Sequence, residues 1–207
     1  MLLLLLGFSV VNPDLVIKTR QNQFSKMIRD IAYSVNSDSF RISYQWMRGL
    51  RNYRLGVHKL EGNRYKKTIY VFKSDTLFRI IKTGKSARVD IISPLEDANL
   101  FAHDWLMFLP QYVWTKKGNP AEISFNYYGA ECKLYLTKDG KILKVVLHSP
   151  KKDVLIMYTN YVDLKGFRNF PTEWDITING HKRHFRVENI FLNRGMCGSC
   201  TFKIPPH

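Results

Sequence analysis

Cysteine is scarce in this chain, three in 207 residues, and only Cys197 and Cys200 lie close together, in CGSC. One such pair supplies two of the four ligands a structural zinc needs; His181, His184 or His207 would have to complete the set, so no metal is expected. A thioredoxin-like role would place the motif between a strand and a helix, whereas only TFKIPPH follows it. Long apolar runs are missing as well: none exceeds about 10 residues, against the roughly 20 of a membrane-spanning helix. Catalytic signatures are absent too, with no GxSxG, no HExxH, no Walker-type loop and no GxGxxG after a strand. His103 and Asp104 are adjacent and would point to opposite faces of a strand, and His148 reads as a strand-end residue rather than a base. No enzymatic activity, no catalytic residue and no cofactor are therefore expected. Acidic residues are the last shortage. Seventeen Asp and Glu face 32 Lys and Arg, a net charge of +15. Such a surface asks for an anionic neighbour: nucleic acid, a membrane or an acidic partner.

What is present is apolar and aromatic, 45% and 14% of the residues respectively. The opening MLLLLLGFSV has the apolar stretch and small-residue site of a secretory signal peptide, without basic residues before Lys18. Residues 1–9 are read as a signal-like segment, truncated or worn; the plainer alternative is an N-terminal strand in the core. Export would make Cys197 and Cys200 candidates for a small disulfide loop. Cys132, alternating with Leu134 and Leu136, reads as core.

Asn12-Pro13-Asp14 has the order of an N-cap, an N1 proline and an acidic first turn. Phe24, Met27, Ile28, Ile31 and Val35 follow at helical spacing, which predicts a helix over 13–35. From Phe40 the period changes to two: Phe40, Ile42, Tyr44 and Trp46 alternate with polar residues. Further strands are expected near 53–60, 66–73, 76–83, 86–92, 121–128, 130–137, 141–148, 153–161, 173–179 and 182–192. Short joints such as EGN, KSD, TGK, KDG and NGH favour an antiparallel meander. Ser93-Pro94-Leu95-Glu96 is a capping box, predicting a short helix or lid over about 94–101. No repeat or linker divides the chain, so 10–193 is read as one domain and 194–207 as a tail carrying the CxxC pair.

Several strands are apolar on both faces: Leu77-Phe78 with Ile80-Ile81, Val145-Val146-Leu147, and Val154 through Tyr158. A sheet with one wet face would alternate cleanly. The pattern implies apolar material on both sides: either a fully packed core or a hollow able to hold a lipid or acyl chain.

The order of features resembles the LolA/LolB-like periplasmic lipoprotein carrier superfamily, and more closely the outer-membrane lipoprotein-sorting proteins. ARVDIISPLEDANLFAHDWLMFLPQ, Ala87 to Gln111, has the rhythm of that family, with Trp105, Leu106, Leu109 and Pro110 carrying a W-L-x-x-L-P strand. The run from Leu143 through Asp153, Tyr158 and Tyr161 to Gly166, then Phe170-Pro171, and Val187 to Asn193 are similar to its late strands. The resemblance implies a mainly β fold with some α: a curved, half-open antiparallel barrel covering one long N-terminal helix and a short lid helix. It implies a carrier or chaperone without catalytic residues, sheltering lipid or lipoprotein acyl chains in the periplasm or cell envelope during outer-membrane lipoprotein sorting. Strand parity then nominates Trp46, Phe78, Ile80, Trp105, Met107, Leu109, Phe125, Tyr127 and Met157 as the cavity wall. The cationic surface would engage an anionic membrane or an envelope protein partner. Nucleic acid is the less expected partner, because the start of the chain points to export. The alternative is a basic envelope or polyanion-binding β module without a lipid cavity.

Overall fold

The structure, a computed structural model, describes residues 28–47, 52–61, 64–73, 76–83, 86–96, 122–137 and 141–205. Alternation of apolar and polar side chains organises the described residues into fourteen strands. The first six are β1 (Asp30–Ser37), β2 (Phe40–Met47), β3 (Asn52–Glu61), β4 (Arg64–Lys73), β5 (Thr76–Thr83) and β6 (Ser86–Ile91). Then come β7 (Glu122–Tyr127), β8 (Ala130–Leu136), β9 (Ile142–Ser149) and β10 (Lys152–Tyr158). The remainder are β11 (Tyr161–Leu164), β12 (Phe167–Pro171), β13 (Glu173–Ile178) and β14 (His181–Leu192). Twelve form one antiparallel sheet in the order β6-β5-β4-β3-β2-β1-β14-β13-β10-β9-β8-β7, and β11–β12 make a separate hairpin. Pairing of β14 with β1 joins the two meanders, and the sheet is unclosed, with β6 and β7 at its two edges among the described residues.

Local chemistry sets the corners. Asn179 and Gly180 both have positive φ, 47° and 84°, so β13 turns into β14 through the Asn-Gly pair that a tight hairpin favours. At the β7–β8 corner the Asn126 side chain accepts from the Gly129 amide at 2.9 Å. The capping box is realised over a single 3-10 turn, Pro94–Glu96: Ser93 Oγ accepts from Leu95 N at 3.2 Å and Glu96 reaches back to Ser93 N at 3.3 Å. Arg79 ties that turn to the sheet, meeting Glu96 at 3.2 Å and Asp90 at 3.0 Å. Residues 97–101 of the expected lid lie outside the described residues.

One expectation is corrected. The helix predicted over 13–35 does not include its last turns, because residues 30–37 are strand β1. Ile28, Ile31 and Val35 satisfy helical spacing, but Ile31, Tyr33 and Val35 satisfy period two equally well, and all three are buried. Pairing with β2 on one side and β14 on the other decides between the two readings. Residues 13–27 of the expected helix lie outside the described residues.

The larger core cluster lies on one face of the sheet. Ile31, Tyr33, Val35, Ile42, Tyr44, Tyr53, Leu55, Cys132, Leu134, Val145, Leu147, Ile156, Trp174 and Phe185 form a single buried cluster drawn from both meanders. Along β1, β2, β3, β8 and β10 the cluster takes every second residue, so it marks the inner face of a sheet bent around it.

Candidate functional site

The inner face carries a row of aromatic rings running across the strands. Tyr53 of β3 stacks on Phe72 of β4 with centroids 5.3 Å apart, Tyr44 of β2 on Tyr53 at 5.8 Å, and Tyr33 of β1 on Tyr44 at 4.9 Å. Phe170, from the β11–β12 hairpin, meets the edge of Tyr33 at 5.4 Å. Farther along the sheet, Tyr158, Trp174 and Phe185 continue the pattern at 6.1 and 6.2 Å. Register explains the row: Tyr33 is opposite Tyr44, Tyr53 opposite Phe72, and Trp174 opposite both Tyr158 and Phe185. Cross-strand aromatic pairs of this kind stabilise a sheet, and all of these rings are buried within the inner cluster.

The β11–β12 hairpin lies against that surface. It leaves the sheet between β10 and β13, where Thr159 N donates to Glu173 O at 3.0 Å and Thr172 N to Asn160 O at 2.7 Å. Phe170 is fully buried in the inner cluster, with Tyr161 and Leu164 packed beside it. The Tyr161 hydroxyl shares its single proton between the carbonyls of Ile142 and Tyr158, and burial pushes its pKa up, so it stays a neutral anchor. Lys141 sits over the Tyr161 ring at 3.8 Å.

The nominated wall residues divide. Trp46 and Tyr127 are buried in the inner cluster, and Phe125 stands opposite the inner-face Cys132 in the β7–β8 register. Phe78 and Ile80 belong to the other face: Ile80 packs with Ile69, Val71 and Phe202 in a separate cluster, and Phe78 shares its parity, opposite Val71. Met157 also points outward, because its neighbours Ile156 and Tyr158 occupy the inner face. Trp105, Met107 and Leu109 lie outside the described residues. Unnominated residues carry the described row: Tyr33, Tyr44, Tyr53, Phe72, Phe170, Tyr158, Trp174 and Phe185. Their shared parity was present in the sequence, but which strands stand beside one another was not.

Among the described residues, reactive groups do not gather on this face. Cys132 is fully buried and its thiol is pushed far toward the protonated form by desolvation. The two His–Asp pairs, His148 with Asp153 and His184 with Asp175 at 2.9 Å, involve exposed histidines outside the inner cluster. Asp175 is partly desolvated, yet hydrogen bonds from Lys182 and His184 hold its carboxyl below the usual range. Among the described residues no three His, Cys, Asp or Glu side chains come together as metal ligands. Cys197 and Cys200 face each other with Sγ atoms 2.7 Å apart.

No protein-family profile matches the sequence, and no curated protein matches it. Solved structures do. A LolA superfamily protein from Nitrosomonas europaea superposes with a TM-score of 0.61 at 11% identity, covering 95% of this chain and 99% of that one. A putative outer membrane lipoprotein-sorting protein domain from Vibrio parahaemolyticus superposes with a TM-score of 0.62 at 12% identity, covering 93% and 97%. At such identities the likeness is one of backbone path over nearly the whole of both chains, and the chain has the LolA-like fold.

Proposed function

We propose that this chain is a non-enzymatic carrier or chaperone that shelters lipid or lipoprotein acyl chains against the inner face of its curved sheet. The observation that carries the reading is the continuous aromatic row from Phe72 to Tyr33 on the concave side of a LolA-like fold. Each methylene withdrawn from water contributes about 0.8 kcal/mol, so moving an acyl chain unaided through an aqueous compartment is costly. The rings are buried as the chain stands, so an acyl chain would take the place of the side chains that cover them, and an aromatic wall accepts it without demanding one shape. The work would be done in the periplasm or cell envelope, in outer-membrane lipoprotein sorting, and in that oxidising setting Cys197 and Cys200 would join as a disulfide. The net charge of +15 brings the carrier to an anionic membrane, each surface cation contributing on the order of 1 kcal/mol there.

Native mass spectrometry of the purified protein, before and after organic extraction, tests this reading. Co-purifying lipid, released by extraction and rebound in high salt, is the expected result, since burial of apolar surface survives screening. A protein that is empty as isolated and ignores fluorescent fatty acids would overturn it. Binding only to polyanions, and only at low salt, would favour the basic envelope module instead.

A further inference from the structure

The outer face of the sheet holds a feature that the carrier reading leaves unused. After β14 the chain reverses: Asn193 and Gly195 adopt positive φ, 54° and 73°, and the buried Asp30 carboxylate accepts the Arg194 and Gly195 amides at 2.9 and 3.1 Å. The chain then crosses the outside of β2–β5 through α1 (Gly198–Thr201) and inserts Phe202 against Ile69, Val71 and Ile80. Between this crossing and the sheet lies a cavity of about 540 Å³, inside the ~300–1,000 Å³ range of small-molecule sites.

Its lining is specific in character. Ile69 and Ile80 give an apolar floor, while Arg54, Lys82 and Lys203 supply three cations and no acidic residue contributes. Arg54 is half-buried, and among the described residues its side chain reaches only Gln45 Oε1, at 3.4 Å. None of the ion pairs among the described residues involves Arg54, Lys82 or Lys203. Desolvation lowers the Arg54 pKa, as expected of a guanidinium drawn partly out of water, and no carboxylate among the described residues offsets it. The wider face is cationic too: Arg41, His58 and Lys67 stand in one cross-strand row, and burial together with Lys67 and Arg41 pushes the His58 pKa down. A buried cation is ordinarily paired. Here the missing counter-charge has a place to sit.

We propose that this cavity binds an anionic amphiphile, its carboxylate or phosphate head on Arg54 and the flanking lysines, its apolar part on Ile69 and Ile80. The site lies on the opposite face from the aromatic row and does not depend on what that row holds. The C-terminal segment forms one wall, so a bound ligand would lie against Cys200.

The test uses the full chain carrying Cys197→Ser, with Cys200 as reporter; buried Cys132 does not react. Dodecanoate at about ten times its Kd is expected to slow alkylation of Cys200 about tenfold, since only the unoccupied fraction reacts. Dodecyl phosphate should do the same, dodecanol should not, and inorganic phosphate should protect far less than dodecanoate. Arg54→Gln should remove most of the protection. Lys203→Gln, a change at an exposed position that leaves the fold intact, should weaken it. Absence of protection, equal protection by dodecanol or by inorganic phosphate, or protection that survives both substitutions together would overturn the proposal. Any of these leaves lipid binding on the inner face untouched, because Cys200 reports only the outer cavity.

Discussion

The outer face of this sheet has two halves that start from similar strands and end in different surroundings. On β4 and β5 the outward residues Ile69, Val71 and Ile80 are buried, because Phe202 from the returning C-terminal segment packs on them. On β9 and β10 the outward Val146 and Leu155 are only partly covered, and Met157 remains 46% exposed. Both halves read as apolar on two faces. A strand of that kind accepts a second layer without securing one; the layer comes from a segment that must be routed to it. Asp30 does the routing here, by accepting two amides at the point of reversal.

The widest separation between the halves should come from Phe202→Ala. Emptying the covered half is expected to lower unfolding free energy by about 3–5 kcal/mol in urea titration. Met157→Ala on the other half should change it by no more than ~0.5 kcal/mol. A loss at Phe202 as small as the one expected at Met157 would mean that the cover contributes nothing. Next in size is Asp30→Ala, which leaves the Arg194 and Gly195 amides without their acceptor and should cost ~1–3 kcal/mol. Amide exchange at those two residues should accelerate along with solvent exposure of Phe202. If exchange is unchanged, the reversal is held by something other than Asp30.

Arg54→Met sharpens the comparison in the opposite direction. Replacing a half-buried cation that has no carboxylate partner among the described residues should raise stability by about 1 kcal/mol when no ligand is bound. A fall in melting temperature would show that the guanidinium is already compensated. The smallest effect concerns pH. Because the His58 pKa is lower folded than unfolded, the unfolded chain binds more protons just below the ordinary value of 6.5. Stability should therefore fall as pH drops through that window and recover above it, and His58→Asn should flatten the slope. A profile with the opposite slope in wild type would contradict the cationic row.

Strand positions were legible from alternation and turn chemistry. Ten expected strands coincide with β3–β10, β13 and β14 to within a few residues, and Phe40–Trp46 is β2. The two misses have physical causes. In β1, residues spaced to satisfy both helical and strand periods were settled by neighbours distant in the chain, 186–192 above all. The β11–β12 hairpin is only four and five residues per strand, too short for a period to show, and DLKG within it reads simply as a joint. The candidate site was half legible. Trp46 and Tyr127 fell on the inner face, whereas Phe78, Ile80 and Met157 carry the same apolar signal on the outer one. Hydrophobicity reports that a side chain avoids water without naming the face it turns to.

By itself the sequence determined the alternation, the turns, the cationic excess and the absence of familiar catalytic motifs, because each follows from residue type and short-range spacing. Only the tertiary structure decided that Tyr33, Tyr44, Tyr53 and Phe72 would stack in one row, and that Phe170 would cap it. It alone brought Arg54, Lys82 and Lys203 around a single cavity. The row depends on the register between strands adjacent in the chain, whereas the Phe170 cap and the cavity depend on contacts between residues more than a hundred positions apart.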